Sequence, residues 1–452
     1  MVTQKRGYLI GALGIFFWLC LWGIGATAVN ARSQLTGNSI AVLTEMDLGL
    51  TQTLKAWYED ASGETGHDDY FGAYVTLPVT DTLYIGLGTA RPAESRGAYF
   101  AKFDGDTLTG IFRPDEDGLH ELLYDGTVIH IAGTDPGSGD DHSAGNHYIY
   151  TPTTGTYTKY RDSETGLPNV FHTWSLWLSD TVLYAAVSSH NGTYTDNCTI
   201  NSVNVCMGQI FTSTDRGATW TWMSDLGGYR AYDIIGFAGD LYAIANDRYM
   251  RALSMSRSTD GGQTWTGIPE LQENVRRVHM VEFHEQLIAT SFDRAALYAL
   301  QTDGTVSTHT LPLDYRVGTT YTEWFAEAYT DYKVLTVVGE HLYLIAQPST
   351  EITGSAILRT ADLQNWERMA QTDARLISLS YWEDNTWLVA SSAGTNAALW
   401  YMDLSEPPLS VTARTFKARP SVFPMLLAGM VVSLMGWRAR VGDVSFVVQK
   451  RC

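Results

Sequence analysis

Three arginines occupy matching places in the sequence, each shortly before a hydrophobic segment: Arg230, Arg277 and Arg375. The corresponding places elsewhere hold His120, His172 and Asp331, with Trp174 and His279 close by. A guanidinium group pairs with a carboxylate through two parallel hydrogen bonds, so converging arginines would bind an acidic ligand. The alternative interpretation is that all these residues are the polar lining of a wet channel, and no periodicity argument separates the two. We treat them as ligand-binding candidates and assign no catalytic residue.

A glycine-rich loop concentrates oxygen ligands: Asp135, Asp140 and Asp141, followed by His142. Carboxylates are ligands that Ca²⁺ prefers, but their spacing matches no established calcium loop, which favours a solvated acidic loop. The chain also lacks a glycine-rich phosphate loop, a His-Glu-x-x-His motif and a Gly-x-Ser-x-Gly motif. We therefore predict no metal and no cofactor, with calcium at this loop as the alternative.

The candidate residues precede a short apolar pattern that recurs through the chain, typically as Leu-Tyr followed by small or apolar residues. Its copies begin at Leu83, Val128, Leu183, Leu241, Leu287, Leu342 and Leu388. Repetition roughly every 50 residues indicates radial repetition of one supersecondary unit. The pattern predicts an all-β protein, a seven-bladed β-propeller of four-stranded antiparallel blades over residues 32–412. A candidate strand at Ser39–Glu45 is expected to pair into the last blade and close the ring.

A second pattern, Ser-x-Asp-x-Gly-x-Thr-Trp, follows two of these strands. Its residues are Ser213, Asp215, Gly217 and Trp220 in one copy and Ser258, Asp260, Gly262 and Trp265 in the other, with a degraded copy at Asp362 and Trp366. The pattern resembles the Asp-box of sialidase-like (BNR-repeat) β-propellers, and as a repeat framework the resemblance covers roughly residues 65–410. The carboxylate is expected to accept backbone N–H bonds in a tight turn, the glycine to supply positive φ, and the tryptophan to seal adjacent blades.

The resemblance implies an arginine triad for a substrate carboxylate, a tyrosine nucleophile assisted by a glutamate, and an aspartate acid/base. The chain departs from that pattern at Phe112-Arg113-Pro114, which lacks the isoleucine of the sialidase Phe-Arg-Ile-Pro motif, and in having seven predicted blades rather than six. An acid–tyrosine cluster is formed in the sequence by Glu323, Glu327, Tyr329 and Tyr332. Because of these departures, sialidase activity is an alternative and not the main prediction.

The charge of the chain bears on its partners, and the hydropathy of its two ends bears on its location. The net charge of −19 makes nucleic acid an unfavourable partner. Residues 1–31, with Lys5 and Arg6 before the uncharged run Gly7–Val29, are typical of a signal peptide or signal anchor. Residues 413–452 contain the apolar run Ser421–Trp437 and a short basic tail, which predicts a transmembrane anchor or sorting segment.

The cysteines and the termini agree on an extracytoplasmic protein, at the cell surface or in the envelope and anchored to the membrane. Cys198 and Cys206 are the only cysteine pair in the predicted propeller, and they can form a disulfide in an oxidising compartment. We predict a binding or scaffold module that takes a glycan or an envelope protein at one mouth of its channel. The alternatives are a sialidase-like glycoside hydrolase and an assembly factor for a membrane complex, since seven-bladed Asp-box propellers also resemble photosystem II assembly factors.

Overall fold

Apolar runs separated by tight turns form β-strands along almost all of the described chain. The computed structural model describes residues 34–37, 42–63, 65, 71–89, 97–134, 144–145, 147–160, 167–168, 170–189, 199–200, 203–204, 207–226, 230–246, 253–276, 278–318, 333–349 and 354–405. The predicted terminal segments, 1–31 and 413–452, lie outside these ranges. Within the ranges, no helix has the length and apolar character that crossing a bilayer requires.

The secondary structure begins with β1 (Gln34–Gly37), β2 (Thr44–Glu45) and α1 (Leu54–Ser62). The next strands are β3 (Gly72–Val79), β4 (Thr82–Gly88), β5 (Tyr99–Phe103), β6 (Leu108–Phe112), β7 (Gly118–Tyr124), β8 (Ile129–Thr134), β9 (Ala144–Gly145), β10 (His147–Thr151), β11 (Thr156–Tyr160) and β12 (Leu167–Pro168). They are followed by β13 (Val170–Ser179), β14 (Val182–Ser189), β15 (Thr199–Ile200), β16 (Val203–Asn204), β17 (Met207–Ser213) and β18 (Thr221–Asp225).

The second half continues with β19 (Arg230–Phe237), β20 (Asp240–Asn246), β21 (Ser254–Ser258), β22 (Thr266–Gly267), β23 (Val281–Phe283), β24 (Gln286–Thr290), β25 (Ala296–Gln301), β26 (Val306–Thr310) and β27 (Tyr315–Val317). The last strands are β28 (Leu335–Val338), β29 (His341–Pro348), β30 (Ser355–Thr360), β31 (Asn365–Thr372), β32 (Arg375–Trp382), β33 (Trp387–Ala393) and β34 (Leu399–Asp403). Single 3₁₀ turns occur at Pro269–Leu271 and Glu383–Asn385.

Successive strands pair antiparallel in sets of four: β3–β6; β7, β8, β10 and β11; β13, β14, β17 and β18; β19–β22; β23–β26; β28–β31; and β32–β34 with β2. The predicted Leu-Tyr strands lie in β4, β8, β14, β20, β24, β29 and β33, the second strand of each set. The sequence pattern therefore located the second strand of every set correctly, and the strand before it is the first of its set.

Hydrophobic layers fill the space between neighbouring sets. Between the first and second sets, for example, the rings of Tyr84 and Phe100 stack with centroids 5.8 Å apart, and Tyr150 packs edge-on at 5.4 Å from Phe100. All three rings are at least 96% buried. In this layer, aromatic side chains of the first set therefore pack directly against an aromatic side chain of the second.

The last set of strands contacts the first. Gly72 of β3 pairs with Ala393 of β33. Trp382 donates its indole N–H to the carbonyl of Thr80 at 2.6 Å, and Thr76 Oγ1 lies 2.7 Å from Ser380 Oγ. The described sets thus close on themselves.

A strand from the N-terminal segment completes the last sheet. Thr44 and Glu45 pair with Tyr401 and Trp400 of β34. The strand predicted at Ser39–Glu45 is therefore observed at its end, and residues 39–41 lie outside the described ranges. Pairing of an early strand with the last sheet ties the two ends of the repeat array together.

The helix α1 was not predicted, because nine residues between β-rich segments give little periodic signal. Thr53 caps its N-terminus by accepting a hydrogen bond from the Ala56 N–H at 3.3 Å. Gly63 ends it with a φ of +76°. Leu54 and Tyr58, one turn apart, are 5% and 2% exposed, so the helix packs one face onto the β-sheets.

Candidate functional site

Five of the first strands of the sets carry a β-bulge at the same place near their start. The extra residue is Tyr74, His120, Trp174, Tyr232 or Ile377. A bulge bends the strand and re-aims its side chains, and bulges recur next to functional sites. Sequence reasoning missed this feature, since a bulge depends on strand register and no single residue type marks all five positions.

Two of the bulged residues, His120 and Trp174, lie in contact with other predicted ligand-binding candidates. The His172 ring stacks on Trp174 with centroids 4.7 Å apart, and His120 approaches the same indole edge-on at 5.1 Å. The Arg230 guanidinium lies 5.6 Å from the centre of the indole, a cation–π contact. His120, His172, Trp174 and Arg230 therefore form one cluster from β7, β13 and β19.

This cluster lies inside the protein. Trp174 has no exposed surface, His120 and His172 are 1% exposed, and Arg230 is 7% exposed. Trp174 donates its indole N–H to Ser188 Oγ at 2.9 Å, which ties the ring to β14. These four residues were predicted as ligand-binding candidates at the channel mouth, and the structure places their side chains in a buried layer.

A polar network centred on Asp233 joins β13 and β19 to the residues just before β23. Asp233 of β19 accepts hydrogen bonds from Ser175 Oγ at 2.8 Å and from the backbone N–H of Met280 at 2.7 Å. The same carboxylate lies 2.9 Å from His279 Nδ1. Asp233 is only 1% exposed, and these contacts satisfy a charge that would otherwise be costly to bury.

Glu121 of β7 forms an ion pair with Lys333. Lys333 lies just before β28, and its backbone also pairs with Ser378 of β32. The side chains of Glu121 and Lys333 are 2% and 18% exposed. The pair joins the second set of strands to the residue just before β28 of the sixth, so a charged contact connects sets that are distant in the ring.

Arg375 occupies a different place from Arg230. It lines a cavity of about 1120 Å³, and Arg230 is not among the residues that line it. Of the three predicted arginines, the cavity lining thus includes Arg375 but not Arg230, and Arg277 lies outside the described residues. The floor of the cavity includes the buried apolar residues Met46, Leu48 and Leu54.

Polar side chains surround the cavity. Four of them end in planar amide, carboxylate or guanidinium groups: Gln52, whose Nε2 donates to Asp60 at 3.0 Å, and Asp373, Arg375 and Asn396. Glu45 and Asp47 add carboxylates, and the partly buried Trp400 adds an aromatic surface with its indole N–H 3.3 Å from Ser392 Oγ. The chain segment 45–54 supplies a third of this lining, and nothing in its sequence marked it as functional.

The predicted Asp-box turns have closely similar hydrogen bonds. Asp215 Oδ1 accepts from the Thr219 N–H at 2.8 Å, and Asp260 Oδ1 accepts from the Thr264 N–H at 2.9 Å. The Thr264 hydroxyl and backbone N–H lower the pKa of Asp260 to about 2. Burial acts in the opposite direction on Asp215, but the hydrogen bonds from Thr219 still lower the pKa of that carboxyl.

The glycines and tryptophans of these turns have distinct contacts. Gly217 and Gly262 have φ of +80° and +97°, and their N–H groups donate to Ser213 and Ser258 at 2.7 and 2.8 Å. Trp265 donates to Ser224 Oγ of the preceding set at 2.9 Å. In the degraded copy, Asp362 accepts from the N–H groups of Gln364 and Asn365, and Trp366 is fully buried.

Two buried histidines lie at the contact between the second and third sets. His130 Nδ1 is 3.3 Å from His147 Nε2, and His130 Nε2 is 3.4 Å from Asp125 Oδ2. The same carboxylate oxygen lies 3.4 Å from Arg216 Nε of the first predicted Asp-box turn. Burial lowers the pKa of His147 well below its ordinary value, and burial also lowers that of His130 although Asp125 opposes it. Sequence reasoning missed this cluster, because its members come from two turns and two strands that are separated in the sequence.

Other predicted residues lie outside the described ranges. They are Asp331, the pair Cys198 and Cys206, the calcium candidates Asp135, Asp140, Asp141 and His142, and the acid–tyrosine cluster Glu323, Glu327, Tyr329 and Tyr332. Where the chain is described, no group of three or more acidic, histidine or cysteine side chains is placed to hold a metal ion. Arg113 of the Phe-Arg-Pro segment donates to the Ser62 carbonyl at 2.6 Å, at the end of α1.

Solved structures with the same architecture are β-propellers. The chain is similar to a streptogramin B lyase, with 12% identity, a TM-score of 0.51, and 80% of this chain and 97% of that chain covered. It is also similar to a catalytically inactive virginiamycin B lyase from Staphylococcus aureus with quinupristin, at 13% identity, a TM-score of 0.50, and 80% and 99% coverage. The chain is thus an all-β protein with a β-propeller fold.

A third solved structure is YCF48 bound to D1 peptide, at 11% identity, a TM-score of 0.48, and 84% and 99% coverage. No family model matches the chain. No curated protein matches it either. At such identities the similarity concerns the fold, and function must be argued from the site.

Proposed function

We propose that this protein is an exported, membrane-anchored β-propeller that acts as a binding module, with its ligand in the cavity next to Arg375. The observation that carries the proposal is the cavity itself: about 1120 Å³ with an apolar floor and a polar rim. Cavities of this kind, with a few convergent polar groups, are the usual form of ligand sites. The buried cluster around Trp174 supports the inner strands beside it and does not receive the ligand.

The proposed propeller has seven blades, one for each set of four strands, and is closed by β2 in the last blade. The turns at Asp215, Asp260 and Asp362 are its Asp-boxes, and they act as structural devices that hold neighbouring blades together. Trp265 supports this role because it bonds to Ser224 of the neighbouring set.

Export and anchoring rest on the sequence of the two ends. Residues 1–31 direct the chain out of the cytoplasm, and residues 413–452 anchor it, which leaves the propeller outside with Cys198 and Cys206 in an oxidising compartment. Fractionation of cells, followed by protease treatment of intact cells, tests this placement. Recovery of the intact propeller from the soluble cytoplasmic fraction would refute it.

Ligand binding is tested by filling the cavity. Thr395 lines the cavity and is exposed at its edge, so Thr395→Trp places an indole at the entrance to the space that the ligand needs. The matched control is Thr153→Trp, on an exposed turn away from the cavity. Arrays of glycans and of envelope proteins are probed with the wild-type protein and with the two variants. Binding that Thr395→Trp abolishes and Thr153→Trp preserves supports the proposal, whereas binding equal in all three forms contradicts it.

A further inference from the structure

We infer that the ligand of this cavity is an uncharged oligosaccharide, and not the acidic sugar that a sialidase-like site would take. The inference rests on the proposed function and specifies the ligand class. It follows from three properties of the cavity: its charge, the shape of its polar groups, and its apolar surface.

The charge of the rim is negative. Among the residues that line the cavity, Glu45, Asp47 and Asp373 carry carboxylates and Arg375 carries the one positive side chain, a balance of three to one. All three acidic residues are exposed at the rim. The N-terminus of α1 adds a partial positive charge of about half a unit, which leaves the rim negative. An anionic sugar entering this cavity meets net repulsion, and the whole chain at −19 adds to it.

The planar polar groups suit hydroxyl pairs. The Asp373 carboxylate and the Asn396 amide, both on exposed residues, each present two hydrogen-bonding atoms side by side. Adjacent hydroxyls of a sugar ring can act as donor and acceptor at once, so one such group binds two of them.

The apolar surface suits the C–H face of a sugar ring. Trp400 lies along the cavity and is partly buried, and the floor beneath it includes Met46, Leu48 and Leu54. Aromatic rings next to polar groups give an amphipathic surface of the kind that enlarges contact at low entropy cost. The volume of about 1120 Å³ exceeds that of ordinary small-ligand sites, and it accommodates several linked rings.

The experiment compares matched neutral and acidic sugars on the full-length protein in detergent. Binding of lactose, malto-oligosaccharides and N-acetylchito-oligosaccharides is measured by calorimetry, with sialyllactose as the acidic counterpart of lactose. We expect at least one neutral series to bind, with little dependence on salt, and sialyllactose to bind more weakly than lactose. Asn396→Ala, which removes one amide from an exposed loop, is expected to weaken binding roughly tenfold, the effect of one hydrogen bond.

A second substitution tests the effect of the negative charge at the rim. Asp373→Asn keeps a planar group at the rim and removes one negative charge, so it should narrow the gap between lactose and sialyllactose. Sialyllactose binding as tightly as lactose, or a peptide occupying the cavity in place of sugars, overturns the inference and leaves the proposed function standing. The proposed function fails separately, if Thr395→Trp leaves all ligand binding intact.

Discussion

At the scale of single residues, one carboxylate organises each predicted Asp-box turn. Asp215 accepts from both the backbone N–H and the hydroxyl of Thr219, and its Oδ1 also accepts from Ser213. Removing it leaves these donors without their acceptor in a turn that carries Arg216 and Gly217 at positive φ. Asp215→Ala should therefore reduce the free energy of unfolding by about 1–2 kcal/mol.

Denaturation in urea measures this change, with Asp314→Ala as the control. Asp314 is an exposed aspartate on another turn, so its loss should cost less than about 0.5 kcal/mol. Equal midpoints for the two variants would mean that the carboxylate of the turn is dispensable.

The buried histidine pair predicts a dependence of stability on pH. Histidines in the unfolded chain bind protons near the ordinary pKa of about 6.5, whereas the folded His130 and His147 have lowered pKa values. The unfolded state therefore binds more protons as the pH falls below about 6.5, and the folded protein loses stability on acidification through that range. Each histidine contributes a slope of up to about 1.4 kcal/mol per pH unit.

The charged groups facing this pair are Asp125 and Arg216. Burial raises the pKa of Asp125, but the N–H groups of Val128 and Thr127 outweigh burial, and the pKa is lowered. The effect of Asp125 on the pH dependence of stability therefore falls at a more acidic pH than that of the histidines. His147→Gln should flatten the stability profile between pH 7 and pH 5, measured by urea unfolding at each pH. His284→Gln serves as the control, because His284 is 40% exposed. Parallel profiles for wild type and His147→Gln would show that this histidine is not the group that titrates.

At the scale of the element, the two-residue strand β2 contributes a whole edge to the last sheet. The Met46 N–H donates to the Leu399 carbonyl at 2.9 Å, and Thr44 occupies the same kind of paired position two residues earlier. Thr44→Pro removes a donor from this ladder and should cost about 1–3 kcal/mol. Differential scanning calorimetry measures the change, with Val42→Pro, outside the strand and 66% exposed, as the control. If Thr44→Pro and Val42→Pro melt at the same temperature, the β2–β34 ladder does not stabilise the closed ring.

Elements with a repeated local signal were predictable, and those defined by long-range packing were not. The strands around Leu83 and Leu342 stand out because the Leu-Tyr pattern and the turn residues before it recur along the chain. The helix α1 and the segment 45–54 occur once, so no repetition marks them. The bulges that turn His120 and Trp174 into the interior depend on strand register, which is set by tertiary pairing. For that reason the site residues were placed at a mouth when four of them form a buried layer.

At the scale of the whole molecule, an ion pair between distant sets of strands also stabilises the ring. Glu121 and Lys333 are 212 residues apart in the chain, and their ion pair connects distant sets of strands. Breaking a buried pair by removing one partner leaves an uncompensated charge, so Glu121→Gln should lower the free energy of unfolding by about 3 kcal/mol. The pair of Lys159 with Asp115 is the matched comparison, since its side chains are 27% and 32% exposed, and Asp115→Asn should cost less than about 1 kcal/mol.

The double variant Glu121→Gln with Lys333→Met separates the ion pair from the residues around it. If the two groups stabilise the ring through each other, the double variant loses less than the sum of the single losses, because the second substitution removes the charge that the first left unpaired. Urea unfolding of all four forms gives the coupling energy. Strict additivity would show that the contact does not hold the sets together, and the stability of the closed ring would then rest on the hydrophobic layers between neighbouring sheets and on the β2–β34 ladder.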